Sequence, residues 1–250
     1  MTTDFLKTED LAIEVQEAPL SLAPVSLAGP VWVVAPHPDD ESLGVGGLVA
    51  ELTDLGTEVW AMLLTDGGAS HPGSVAWTRE RLAAGRLSEW QAALDLLGVA
   101  PTRRVALGLP DGALPYPGDG EAAVELIRKA LVVAPPNTVL LPWRRDPHPD
   151  HRAAHALMMA ALGSGPAARC LEYTVWLPER GGADDQPRPG EARHFAVLLP
   201  QQRARKEAAV RAHRSQLGQL VQDDPGGFTL QEDMIRRAVD AHETLLEVRA

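Results

Sequence analysis

The chain has 250 residues, 45% hydrophobic and 23% charged, which excludes wholesale disorder and fits one large α/β domain with a substantial core. Its formal net charge of −11 argues against a nucleic-acid backbone or an anionic membrane as partner, since either needs clustered Lys and Arg. With Cys170 as its one cysteine, it has no intramolecular disulfide and no cysteine-based zinc site.

Residues 1–29 read as an N-terminal arm and 30–250 as a single domain. The first residues are acidic and polar, without the basic start and apolar core of a secretory signal, and no stretch approaches the roughly 18 apolar residues of a membrane span; a cytoplasmic protein is expected. The apolar, Pro-punctuated segment 19–30 is read either as an edge element or as a mobile one. Val31 to Ala35 is continuously apolar and β-branched, the pattern of an interior parallel strand. Gly44, Gly46 and Gly47 then introduce a helix through Leu48, Val49 and Leu52 to Leu55, stopped at Gly56. Val59 to Leu64 is a second strand, closing on Thr65-Asp66-Gly67-Gly68.

Apolar residues at helical spacing predict a helix over 78–97, on which Arg86 and Glu89 share a face and read first as a solvated ion pair. A strand over 105–109 ends on Pro110-Asp111-Gly112, which is turn chemistry first and a site candidate second. A helix over 121–133, a strand over 138–141 and a helix over 152–162 follow. Strands are expected at 170–177 and 194–199, separated by a long polar loop over 178–192 suited to a lid or an oligomer contact. Two helices, near 201–217 and 230–248, complete the chain. Alternating strands and helices predict a Rossmann-like three-layer α/β/α sandwich with a mainly parallel central sheet.

The loop after the first strand carries His37, Asp39, Asp40 and Glu41, and that after the fourth carries His148, Asp150 and His151. Parallel strands bring both loops to one sheet edge, where open α/β sheets bind ligands. The acidic residues of the first loop also suit the start of a helix. Crowded carboxylates, however, repel one another unless a cation sits among them. Two imidazoles and one carboxylate form a three-ligand set that leaves zinc an open position; the same set holds ferrous iron or manganese.

The stretch Ala35-Pro36-His37-Pro38-Asp39-Asp40-Glu41, paired with Asp146-Pro147-His148-Pro149-Asp150-His151, resembles the signatures of the PIG-L/LmbE-like family of metal-dependent N-deacetylases. Thr65-Asp66-Gly67, the Arg86 and Glu89 pair, Leu109-Pro110-Asp111-Gly112 and His213-Arg214-Ser215-Gln216 follow in matching order, so the resemblance covers about Val31 to Gln216. It implies that His37, Asp40 and His151 bind zinc and that Asp39 is the general base of a hydrolase freeing acetate and an amine from an N-acetylglucosamine-type sugar or glycoconjugate. It further implies that His148, if protonated, stabilises the oxyanion, that Asp150 orients or charges His148, and that Arg86 and Asp111 contact the sugar. His213 and Ser215 match positions near the pocket without an assigned role. His71, His155, His194 and His242 have no motif support and read as surface or core histidines.

Other readings are weaker. Gly44-Val45-Gly46-Gly47 with Asp66 suggests a nucleotide- or methyl-donor-binding Rossmann enzyme, but Val49 occupies the third glycine's place and the acidic loop would face a pyrophosphate. His151 and His155 suggest a zinc protease, but Arg152 stands where its glutamate belongs. A non-catalytic metal-holding interaction protein would have lost the base or a ligand, and all are present. The expected partner is a small N-acetylated sugar compound; the aglycone and any homo-oligomer are left open.

Overall fold

A computed structural model describes residues 19–163 and 168–248 of the chain. The part of the expected arm at 1–18 lies outside the described residues. The strands are β1 (Leu20–Ser21), β2 (Val31–Ala35), β3 (Val59–Thr65), β4 (Arg104–Leu109), β5 (Thr138–Pro142), β6 (Arg169–Tyr173), β7 (Ala192–Val197) and β8 (Glu243–Val248). The helices are α1 (Asp40–Asp54), α2 (Arg79–Leu97), α3 (Glu121–Val133), α4 (Pro149–Leu162), α5 (Leu177–Arg180), α6 (Arg203–Ala212) and α7 (Glu232–Asp240). One sheet runs in the order β1-β7-β8-β6-β5-β2-β3-β4.

β2 is buried along its whole length, pairing in parallel with β3 and β5. Because strand side chains alternate, it feeds two cores. Val31, Val33 and Ala35 pack with α1 and α2 residues such as Leu48, Leu52, Trp90 and Leu94. Trp32 and Val34 pack with α3 and α4 residues such as Ile127, Ala154 and Leu157. These are the three layers that strand and helix alternation predicts. From β2 the chain proceeds outward through β3 and β4, then crosses over to β5 and β6, so β2 and β5 flank the point where strand order reverses. Loops leaving such a pair diverge and leave a crevice at their carboxyl ends.

Several expectations are corrected. The helix expected over 230–248 is α7 followed by β8, which runs antiparallel to β6 and β7. Leu245 and Leu246 point into cores on opposite faces of the sheet, so the strand lacks the polar alternation that would have announced it. The strand expected over 170–177 ends at Tyr173, and its last residue, Leu177, instead opens α5, which runs into the loop expected over 178–192. The helix expected over 201–217 ends at Ala212, with a 3-10 turn at Arg214–Leu217. Leu20 and Ser21 form an edge strand opposite Phe195 and Ala196.

Candidate active site

α1 begins directly on the first acidic loop, and Asp39 occupies its N-cap position without making a side-chain capping bond. Its φ is 131°, a region disfavoured for any residue with a Cβ and costing about 1–3 kcal/mol where it is imposed. That conformation frees the carboxylate from the helix. Arg86 of α2, itself only 3% exposed, fastens it from below. Its guanidinium donates to Pro38 O at 2.7 Å, to Gly67 O at 2.9 Å and to Asp39 Oδ2 at 3.2 Å. Arg86 is therefore not Glu89's solvated partner. Glu89 instead accepts from the Ser215 amide and hydroxyl, at 2.8 and 2.6 Å.

Asp40 stands at the convergence of both loops. Its Oδ2 lies 3.1 Å from His37 Nδ1 and 3.2 Å from His151 Nε2. On the other side of the His37 ring, Nε2 lies 3.1 Å from Asp150 Oδ2 and 3.2 Å from Asp111 Oδ1. One donor atom from each of His37, His148 and His151 falls within 4.8 Å of the others, and the same holds for His37, Asp111 and Asp150. The sequence-predicted residues Asp39, Asp40, Arg86, Asp111, His37 and His148 line one cavity of ≈ 660 Å³, while Asp150 and His151 sit in its supporting wall.

Asp150 takes a different place from the one expected beside His148. Its carboxylate accepts from Gly112 N at 2.8 Å and Leu114 N at 3.1 Å, pinning the loop after β4 to His37. Only its backbone amide meets His148, donating to Nδ1 at 3.2 Å. That bond leaves the proton of the neutral imidazole on Nε2.

Asp39, Asp40, Asp111 and Asp150 create an excess of negative charge around these imidazoles. Burial disfavours charge on His151, but Asp40 and Asp146 outweigh it and hold the ring's pKa at about 9. His148 goes the opposite way, to about 4, through burial and then the nearby positive imidazoles. Burial pushes the Asp39 carboxyl well above its usual range, with Arg86 opposing. Such a cluster calls for a cation.

A divalent metal fits the residues present. Both ring nitrogens of His151 are fully buried without a hydrogen bond of good geometry, and Nε2 faces Asp40 Oδ2. Nδ1 of the same ring faces Asp146 Oδ1 at 3.3 Å, the carboxylate contact that orients a ligating imidazole. His37 Nδ1 and His151 Nε2 meeting Asp40 Oδ2 make a zinc-type donor set.

Asp146 carries signal that reading for ligands overlooks. Beyond steadying His151, its carboxylate accepts from the amides of His148 and Trp176 at 3.0 and 3.1 Å. Its place in the second loop motif is the one available clue. Gln216, from the last landmark of the resemblance, also lines the cavity, together with Trp176 and Phe228, which distant segments without any motif bring there. His155 pairs with buried Glu172 away from the cavity, and His71 is buried against Gly227.

A family profile described as PIG-L, GlcNAc-PI de-N-acetylase, matches residues 32–162. The chain belongs to this PIG-L family. It is 38% identical over 137 residues to the diacetylchitobiose deacetylase of Thermococcus kodakarensis, an alignment spanning 53% of this chain and about half, 48%, of that protein. Another relative, the 1D-myo-inositol 2-acetamido-2-deoxy-alpha-D-glucopyranoside deacetylase of Nakamurella multipartita, is 30% identical over 246 residues, covering 85% of this chain and 78% of the relative. The N,N'-diacetylchitobiose deacetylase of Pyrococcus horikoshii shares the fold, with a TM-score of 0.62 at 24% identity over 87% of this chain and 83% of that one. The relatives are N-acetylglucosamine-type deacetylases and the family is metal-dependent.

Proposed function

We propose that this PIG-L protein hydrolyses the N-acetyl group of an N-acetylglucosamine-type sugar or glycoconjugate, with zinc as the metal. The observation that carries this reading is the meeting of His37 Nδ1 and His151 Nε2 at Asp40 Oδ2, beside an Asp39 carboxylate freed from its helix. His37, Asp40 and His151 would hold the ion, which supplies Lewis acidity and makes water acidic enough to lose a proton near neutral pH.

The remaining work falls to the chain. Arg86 holds the Asp39 carboxylate in place to take the proton of the attacking water. His148, with its proton on Nε2, donates a hydrogen bond to the carbonyl oxygen as negative charge develops there. Asp39 then returns the proton to the departing nitrogen, so that water and amide become acetate and amine. Asp111, lining the cavity near Arg86, is suited to accept sugar hydroxyls.

The test is metal content of the purified protein together with amine release from N-acetylglucosamine and small N-acetylated glycosides, before and after chelation. About one zinc per chain and chelator-sensitive release are expected. Release that survives complete metal removal overturns the mechanism, and a metal-loaded protein inert on every such sugar overturns the substrate class.

A further inference from the structure

A second cavity of ≈ 310 Å³ opens beside the first at the same end of the sheet. It lies between α7, the start of β8 and the segment after β6, and it shares Trp176 and Met234 with the cavity holding His37 and Asp39. Leu43, Val175, Leu230 and Ala238 supply further apolar walls. Its charged side chains are already paired: Glu243 takes Lys206 Nζ at 2.8 Å and the amides of Gly47 and Leu48, while Glu179 takes Arg237.

The first cavity has a charged part, at His37, Asp39, Asp40, Arg86, Asp111 and His148, and an apolar part at Trp176, Phe228 and Met234. Trp176 and Phe228 hold each other edge to face, with centroids 5.4 Å apart. The acetamide must sit in the charged part to react. The chamber adjoins the apolar part, so what reaches it is a substituent leaving the sugar away from the acetamide. A second sugar, an inositol or a carboxylic acid placed there would give up water for walls whose charged groups are already paired.

We infer that the two cavities, which border on each other at Trp176 and Met234, serve as one substrate site whose second chamber takes an apolar alkyl or aryl aglycone. The inference rests on the deacetylase reading and narrows it to hydrophobic glycosides.

The test compares acetate release from the octyl and methyl glycosides of N-acetylglucosamine, from N,N'-diacetylchitobiose and from methyl N-octanoylglucosaminide, in the wild type and in Ala241→Trp. Ala241 is exposed at the chamber mouth, so the substitution narrows the entrance without entering the core. Ala238→Phe, deeper in the chamber, is the second variant. The wild type is expected to favour octyl over methyl by at least about tenfold in kcat/KM, with both variants bringing that ratio close to one. Since each ratio is taken within one preparation, it does not depend on the folded fraction. A wild-type ratio near one, preference for chitobiose or for the N-octanoyl substrate, or variants that keep the octyl preference would each overturn the inference. If no compound releases acetate or octanoate, the deacetylase reading fails instead. Titration of octyl glucoside then decides the chamber separately: heat of binding in the wild type that disappears in Ala241→Trp keeps an apolar site, and no binding removes it.

Discussion

Asp39, the base of the proposed mechanism, is held by the backbone where few residues sit. A φ of 131° turns its carboxylate away from the helix start it would otherwise cap, toward Arg86 and the cavity. Asp39→Asn preserves shape and removes the base, so kcat/KM should fall by about 10²–10⁴ with metal content unchanged. Loss of metal in that variant would make Asp39 a ligand rather than the base. His151→Ala should lose both, which elemental analysis beside turnover resolves. The surroundings of Asp39 also set a pH dependence. Burial disfavours its charge and Arg86 favours it, so Arg86→Met should raise its pKa further. Since the ionised form is the base, the acid limb of the kcat/KM profile should move to higher pH. An unmoved limb would show that Arg86 does not tune this group.

Among the elements, α1 shows how the site's support is distributed. Its backbone breaks at Val45, where φ is −139°, and Glu243 of β8 accepts from the amides of Gly47 and Leu48 at 2.7 and 2.8 Å just beyond the break. The same carboxylate meets buried Lys206 of α6, tying three elements behind the loop that carries His37 and Asp39. Glu243→Ala strands the Lys206 charge and two buried amides, which should cost about 3–5 kcal/mol. Urea denaturation measures this, and a loss under ~1 kcal/mol would mean that the pair is dispensable. Close packing adds a second constraint: a Cβ at Gly44 would lie 2.3 Å from Tyr173 Cδ2, so only glycine lets α1 approach β6 here. Tyr173 in turn donates to Val34 O at 2.7 Å, linking β6 to β2 across the sheet.

At the scale of the whole molecule, the reversal of strand order at β2 and β5 sets two acidic loops side by side, so that a cation bound between them would offset their repulsion and be coupled to stability. A cation bound only by the folded state at a hundredfold excess over its Kd contributes about 2.7 kcal/mol. Chelation should therefore lower Tm by several degrees, and readdition of zinc should restore it; an unchanged Tm would place the ion elsewhere. Much of this was legible in the linear chain. The buried run Val31–Ala35, the alternation of strands and helices and the two His-Asp loops have local causes: apolar pattern, proline-stiffened turns and donor spacing. They determined the layers and pointed to the His and Asp residues that the structure gathers at one cavity. Tertiary structure alone decided that Arg86 holds Asp39 and Glu89 holds Ser215, that Asp150 steadies His37 and the loop after β4, and that Leu245 and Leu246 lie on a strand buried on both faces. It also placed Trp176 and Met234 between two cavities. Those contacts join segments far apart in the chain, and their partners are selected by packing geometry, which no local spacing encodes.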